Sequence, residues 1–173
     1  MTTLTTVTIL TYNEGEVILM EIRKGKLRME AITVPRYNIR DTKRYYSDLN
    51  NLVLKGIEVI TFNAISGQDQ VSHIKTSYLD RLLNELRFQP ITEKDEELQV
   101  YTIALQEIDL YGEGVSVEDA TEELVTSIVE FLNIYIQKLD MFAQVESELK
   151  QLYLLKLLRC NGDREKIKKA IGR

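Results

Sequence analysis

The 173-residue sequence has little of the chemistry on which most enzymes depend. It contains one histidine, His73, and one cysteine, Cys160, so the usual zinc ligand sets and an internal disulfide are both excluded. A Cys–His dyad stays open as an alternative, but a structural role is far more common for a lone histidine within a predicted strand. The lack of disulfides fits a reducing compartment, and the sequence predicts a cytoplasmic protein.

Long hydrophobic runs are also missing. The longest uninterrupted apolar stretches, Val17–Met20 and Leu152–Leu155, are far shorter than the roughly 20 residues that a membrane-spanning helix needs. The chain does not open on a charged segment followed by an apolar one, so nothing in it indicates secretion. With 44% hydrophobic and 28% charged residues, the composition predicts a soluble globular protein with no membrane partner.

Positive charge is scarce in one part of the chain. Residues 93–148 carry fifteen acidic side chains against only Lys94 and Lys138, which gives a formal charge of −13. Residues 149–173 carry +6 and residues 1–44 carry +3. Such asymmetry predicts separate electrostatic roles for separate surfaces, although acidic residues can also serve simply as solvated helix faces.

Hydrophobic periodicity predicts a mixed α+β fold. Three β-rich stretches at 6–12, 17–23 and 27–34 indicate an N-terminal β-meander that ends at Pro35. An αββα unit follows, with a helix at 41–55 capped by Asp41 and stopped by Gly56. Its remaining elements are a strand at 57–63, a turn at 64–70, a strand at 71–76 and a helix that starts at Ser77.

Pro90 and the polar run Thr92–Glu97 indicate an internal boundary in the second half of the chain. Beyond it we expect a small antiparallel sheet, with strands at 100–105 and 108–111, packed on long C-terminal helices. The predicted helices are 117–139 with Ser116 as its cap, a second at about 145–160 that Asn161-Gly162 stops, and a basic tail helix capped by Asp163.

The segment DLYGEGVSVEDATEELV (109–125) holds the nearest approach to a phosphate-binding loop. A dinucleotide fingerprint needs GxGxxG, and here Val117 occupies the third glycine position after Gly112 and Gly114. The following helix start is crowded with carboxylates, which would repel a phosphate. We therefore interpret the two glycines as a hinge between a strand and a helix.

Two kinds of charged cluster remain as candidate sites. Carboxylates at i, i+4 spacing could in principle bind a hard metal ion, but more often they form a solvated helix start. Basic residues near the first helix, interleaved with Tyr37, Tyr45 and Tyr46, could neutralise nucleic-acid phosphates. The basic tail is a second such candidate, and it could equally pair with the acidic middle of its own chain. The clusters are Glu118, Asp119, Glu122 and Glu123; Arg36, Arg40, Lys43 and Arg44; and Arg164, Lys166, Lys168 and Lys169.

Taken together, these segments resemble bacterial antitoxins of type II toxin–antitoxin pairs. RDTKRYYSDLNNLVLKGIEVITFN (40–63) and VSHIKTSYLDRLL (71–83) resemble the Phd/YefM (RelB-type) antitoxin domain. VYTIALQEIDLYGEGVSVEDATEELVTSIVEFLNIYI and QLYLLKLLRCNGDREKIKKAIG resemble the longer C-terminal region of some Phd-like antitoxins. The stretch Phe88–Tyr135 is also similar to the small HicB antitoxin domain.

The resemblance implies a non-catalytic binder with no cofactor and no metal. Its domains would be an N-terminal β extension (1–34), a Phd-like dimerisation and DNA-binding domain (35–88) and a HicB-like, helical toxin-binding region (89–173). The implied partners are a small basic RelE-like ribonuclease toxin and, for a homodimer, operator DNA. The implied DNA contacts are Arg36, Arg40, Lys43 and Arg44, and the implied toxin contacts are Glu118, Asp119, Glu122, Glu123, Phe131 and Tyr135.

Two readings from other classes stay open. The first is a stand-alone regulatory or structural interaction domain that has neither toxin nor operator. The second is a metal-dependent nuclease built on a HicB-like, RNase H-related sheet, for which only Glu107 and Asp109 are plausible carboxylates.

Overall fold

The structure of the protein is a computed structural model, which describes the backbone of residues 8–13, 16–23 and 26–28 and the whole of residues 34–63 and 70–173. The chain divides into two compact units, Met1–Thr76 and Ser77–Arg173, called here the N-terminal unit and the C-terminal unit. Helices and small sheets are combined, which confirms the predicted α+β class. No helix in the described ranges is long and apolar enough to cross a membrane.

The N-terminal unit begins with three antiparallel strands in chain order. Their registers place Thr8 opposite Glu21, and Glu21 opposite Arg28, so the predicted meander is confirmed. Residues 29–33 of the third predicted strand, and the turns at 14–15 and 24–25, lie outside the described ranges. The strands are β1 Thr8–Asn13, β2 Glu16–Arg23 and β3 Lys26–Arg28.

A second three-stranded sheet carries one helix. β4 runs parallel to β5, and β5 pairs antiparallel with β6, so the unit adds a first strand to the predicted order. That strand was missed because three residues are too few to show an alternating pattern. Most of the predicted turn, residues 64–69, lies outside the described ranges. The elements are β4 Arg36–Asn38, α1 Ile39–Leu54, β5 Val59–Phe62 and β6 Gln70–His73.

The ends of α1 show which local signals were interpreted correctly. The predicted cap, Asp41, is wrong: the side chain of Asn38 accepts a hydrogen bond from the backbone N–H of Arg40, and Asp41 lies in the first turn. Gly56 has a φ of +91° and ends the helix as predicted. One face of α1 is buried on the sheet through Leu49, which packs with Tyr37 and Val59.

The C-terminal unit contains an antiparallel sheet in the order β7-β8-β9. The run Thr92–Glu97, predicted to mark an internal boundary, forms most of a strand and the hairpin turn after it, and the two compact units divide at Thr76–Ser77. All five residues of that strand are exposed, so no apolar alternation marks it in the sequence. Asp95 Oδ1 accepts hydrogen bonds from the N–H groups of Glu97 and Leu98 and so closes the turn. The elements are α2 Thr76–Glu85, β7 Ile91–Asp95, β8 Val100–Leu105 and β9 Leu110–Gly114.

Four helices complete this unit. The long helix begins at the predicted cap, where Ser116 Oγ accepts from the Asp119 N–H at 3.1 Å and donates to the Asp119 carboxylate at 2.7 Å. The helix is interrupted at Lys138, and a short helix that was not predicted follows. The next helix therefore begins at Glu148 rather than at about 145. The helices are α3 Val117–Gln137, α4 Leu139–Val145, α5 Glu148–Leu158 and α6 Arg164–Ala170.

The main core of this unit lies between the sheet and α3, with α5 and α6 on the same core. A leucine or isoleucine side chain contributes about 1.5–3 kcal/mol when fully buried, so this cluster is the main stabilising contact. Its fully buried members include Ile103, Leu105, Ile108, Leu124, Ile128, Leu154, Leu157, Ile167 and Ile171.

Candidate functional site

Gly112 lies inside β9, Gly114 is its last residue, and both face α3, so they are packing positions rather than the predicted hinge. A Cβ atom built on Gly112 would lie 2.6 Å from Leu124 Cα, and one on Gly114 would lie 2.6 Å from Asp119 Cβ. Such distances are far inside van der Waals contact, so both positions must lack a side chain for the strand to pack on the helix. The Gly-X-Gly spacing in the sequence indicates this close packing, because residues two apart lie on the same face of a strand.

The opposite face of the sheet, called here the outer face, has an apolar row beside an acidic one. The register aligns Ile91, Ala104 and Tyr111, and Tyr111 is 60% exposed. The neighbouring row aligns Glu93, Thr102 and Glu113, of which both glutamates are exposed. The outer face therefore offers one exposed aromatic ring flanked by carboxylates.

A cleft of about 410 Å³ at the β9 edge joins the outer face to α3. Its lining includes Tyr111 and Glu113 from the strand and Glu123 from the helix. Two further exposed carboxylates lie in the first turn of α3. We call this set the acidic surface: Glu93, Glu113, Glu118, Asp119 and Glu123.

The fourth predicted acidic residue, Glu122, is engaged within the chain. Its carboxylate accepts from Arg164 at 2.9 Å and forms an ion pair with Lys168, both on α6. The Lys168 and Arg164 hydrogen bonds hold the pKa of Glu122 below its ordinary value. Two of the four basic tail residues thus pair with the acidic middle of the chain, the alternative that the charge pattern had left open.

Replacing Glu122 with glutamine should lower the melting temperature, because the α3–α6 ion pairs are lost. Since the pKa of Glu122 is lower in the folded state, its contribution is present above about pH 4.3 and is lost as pH falls through the folded value. The difference from wild type should also shrink in about 1 M salt. Glu123→Gln, one residue along and with a side chain exposed to solvent, is the matched control, and an equal effect there would contradict the pairing.

The predicted aromatic contacts, Phe131 and Tyr135, lie within the fold. Tyr135 is only 5% exposed and Phe131 is partly buried. Phe142 of α4 packs on both, with ring centroids 5.7 Å from Phe131 and 5.4 Å from Tyr135. These rings hold α4 against α3 and present little surface to a partner.

The break at Lys138 exposes apolar side chains that the sequence pattern had not singled out. Ile136, Leu139 and Met141 are each about half exposed and line a shared cleft of about 340 Å³. The predicted continuous helix gave no indication of this cleft, because the cleft depends on the direction that the chain takes after α3.

The basic candidates of the N-terminal unit separate into two groups. Arg40, Lys43 and Arg44 are exposed, and their three- and four-residue spacing places them on one side of α1 near its N-terminus. Arg36 lies on β4, where its guanidinium donates to Gln70 Oε1 at 2.9 Å and lies over the Phe62 ring. The helix therefore carries three exposed cations, of which Arg44 lies over the Tyr45 ring at 5.5 Å from its centre, and Arg36 is held by the sheet.

Candidate catalytic groups have structural partners. Glu107 Oε1 accepts from the Gln89 N–H at 2.7 Å, while its buried Oε2 has no hydrogen-bond partner among the described residues; Asp109 pairs with Lys150 at 2.9 Å. His73 Nε2 lies 3.0 Å from Thr61 Oγ1, and burial raises the pKa of the Cys160 thiol, the opposite of what an activated nucleophile needs. Within the described ranges, no group of three or more histidine, cysteine or acidic side chains could hold a metal ion.

A family model and a solved structure are similar to the chain. The PHD_like family model, described as "Antitoxin of toxin-antitoxin, RelE / RelB, TA system", matches residues 34–171. A crystal structure of the antitoxin part of a proposed toxin/antitoxin system from Syntrophomonas wolfei subsp. wolfei is similar in fold, with a TM-score of 0.61 and 15% identity. The similarity covers 78% of this chain and 94% of that one. No curated protein matches the chain.

Proposed function

Because the chain belongs to the PHD_like family of toxin–antitoxin antitoxins, we propose that it binds and neutralises a small basic RelE-like ribonuclease. The observation that carries this proposal is the acidic surface of the C-terminal unit. A toxin that binds RNA needs positive charge to hold the phosphates. The five exposed carboxylates of this surface would bind the same positive charge in place of RNA. In the cytoplasm, the antitoxin would then block access of RNA to the toxin.

The acidic surface combines charge with contact area. Carboxylates set the association rate and the choice of partner, and burial of apolar atoms contributes most of the affinity. Tyr111, the β9 member of the apolar row, supplies an exposed ring beside Glu113 on the outer face. Tyr135, Phe131 and Glu122 would support this surface indirectly, since they fix α4 and α6 on α3.

The two predicted domains would bind different partners. Residues 89–173 would bind the toxin, and residues 35–88 would dimerise and contact operator DNA for autoregulation. A two-fold dimer would present the basic side of α1 twice, as a palindromic operator requires. Residues 1–34 would form an extension of this DNA-binding part.

We expect Arg40→Ala, Lys43→Ala and Arg44→Ala each to weaken DNA binding uniformly across sequences. Each loss of a phosphate contact should reduce the slope of log K against log salt by about 0.9. Fluorescence anisotropy with a duplex from the promoter of its own gene measures both quantities. Arg36→Ala should have a smaller effect because Gln70 already holds that guanidinium. The control is Lys55→Ala at the other end of α1, and a response there equal to that of Arg40→Ala would exclude this face.

Toxin binding is tested by a tagged pull-down from native lysate in moderate salt, read by mass spectrometry. A small basic protein recovered in stoichiometric amount is the expected result, and its cleavage of labelled RNA should stop when the purified chain is added. A clean bait, or a partner whose RNA cleavage continues in the complex, would contradict neutralisation. Either result would favour the alternative function, an interaction domain without a toxin.

A further inference from the structure

A second charged cleft lies in the C-terminal unit, away from the acidic surface. α2, α5 and α6 enclose about 300 Å³ lined by four basic side chains and one carboxylate. We call it the basic cleft; its charged members are Lys156, Arg159, Lys166, Lys169 and Asp80. Cations from two helices thus converge on one space, in a chain whose overall charge is −5.

The protein neutralises this charge only in part. Asp80 pairs with Arg159, and Asp163 lies 3.3 Å from Lys166 at the rim. Among the described residues, no carboxylate pairs with Lys156: its ammonium donates to the Leu86 carbonyl and lies 5.9 Å from the centre of the Phe88 ring. Burial lowers the pKa of Lys156, in keeping with the lack of a paired carboxylate among its described neighbours.

We propose that the basic cleft binds the phosphate group of a phosphorylated ligand. Arginine and lysine are the side chains that bind phosphate oxygens, Arg159 through its forked donors and the lysines as point charges. The volume is at the lower end of the range for small-ligand pockets and leaves room for more than the phosphate itself. In the unliganded chain Asp80 supplies the anion that Arg159 needs, and a phosphate would compete with it.

The phosphate could belong to a free nucleotide or to a nucleic-acid backbone. The chemistry of recognition is the same, but a free monoester carries up to two negative charges on one group, whereas a backbone phosphodiester carries one. Four cations around a single small cleft favour the monoester. This assignment is independent of the proposed toxin and operator binding, so either can fail without the other.

Cys160 lines the basic cleft and is the only cysteine of the chain, so a thiol reagent reports on this position alone. We would measure the rate of alkylation by neutral iodoacetamide with inorganic phosphate, with adenosine 5′-monophosphate and with a single-stranded RNA that lacks a terminal phosphate. Ionic strength is held constant with sodium chloride. Protection of roughly threefold or more, saturating with the probe, is the expected result. Protection by the first two probes assigns a free monoester, and protection by RNA alone assigns a backbone phosphate.

Matched variants separate a site from general charge effects. Lys166→Ala and Lys169→Ala should each weaken the protection constant by roughly three- to tenfold, as expected for a charge-assisted contact. Asp80→Asn should strengthen it, because the competing carboxylate is removed while the shape is kept. Lys138→Ala, an exposed lysine of the same unit outside the cleft, should leave it unchanged. Lack of protection by all three probes, or equal protection in the Lys166, Lys169 and Lys138 variants, would overturn the proposal.

Discussion

Gly112→Ala should destabilise the C-terminal unit by about 3 kcal/mol, near the upper end of the cost of overpacking. The added methyl group would meet the backbone of α3 at Ala120 and Leu124, which cannot rotate away as a flexible side chain can. Since a domain of this size is stable by only about 5–15 kcal/mol, a large fraction of the folded state's margin would be lost. Urea unfolding followed by circular dichroism measures the change.

A comparison of glycines tests the cause. Gly162 has a φ of +73° and open space around a built Cβ, so Gly162→Ala should cost only about 1 kcal/mol, through its backbone conformation. Shortening the facing side chain in the double variant Gly112→Ala, Leu124→Ala should restore nothing, because the clash is with backbone atoms. A Gly112→Ala protein as stable as wild type, or a double variant more stable than Gly112→Ala alone, would mean that the strand and helix are not in close contact.

Reversing three charges of the acidic surface should lower the affinity for the proposed basic toxin by about 100-fold, or about 2.7 kcal/mol. The substitutions are Glu93→Lys, Glu113→Lys and Glu123→Lys, which lie on β7, β9 and α3 and have exposed side chains. Much of the loss should appear as slower association that depends steeply on salt. Surface plasmon resonance with the partner recovered from the lysate separates the rates.

A second triple variant serves as the control for the change in net charge. Glu85→Lys, Glu130→Lys and Asp140→Lys change the total charge equally, at exposed positions outside the acidic surface. This control should bind the toxin with nearly wild-type affinity, and circular dichroism should show both proteins folded. If the two triples weaken binding alike, the carboxylates act through total charge and the proposed surface is wrong.

Sequence periodicity predicted the helices and strands that bury one face and expose the other. The predicted stripe from Ala120 to Tyr135 is regular over several turns and is buried in α3, whereas Leu139, predicted as its last member, lies beyond the helix and is half exposed. β4 and β7 could not be predicted in the same way, because one has three residues and the other exposes every side chain. β4 is defined by pairing with β5, where Arg36 lies opposite Ile60, and local patterns do not contain such a distant contact. β7 pairs with the adjacent β8 across a hairpin, but its exposed residues give no strand pattern of their own.

The candidate sites show the same division. The sequence identified the acidic run before and within α3, but it could not separate Glu122, which faces α6, from Glu123, which faces the β9 cleft. Lys156 and Asp80 belong to one cleft although they lie far apart in the chain. Their proximity arises from helix packing, so the basic cleft had no signature in the sequence.

The outer face also determines how the protein behaves in concentrated solution. β7 and β9 are both edge strands, and unpaired edges with exposed apolar neighbours are sites at which copies of a protein aggregate. Here, two such faces brought together would oppose Glu93 and Glu113 of one molecule with the same carboxylates of another. Like charges repel, so we expect this face to resist self-association although Tyr111 is exposed, and to stay available to the basic partner proposed above.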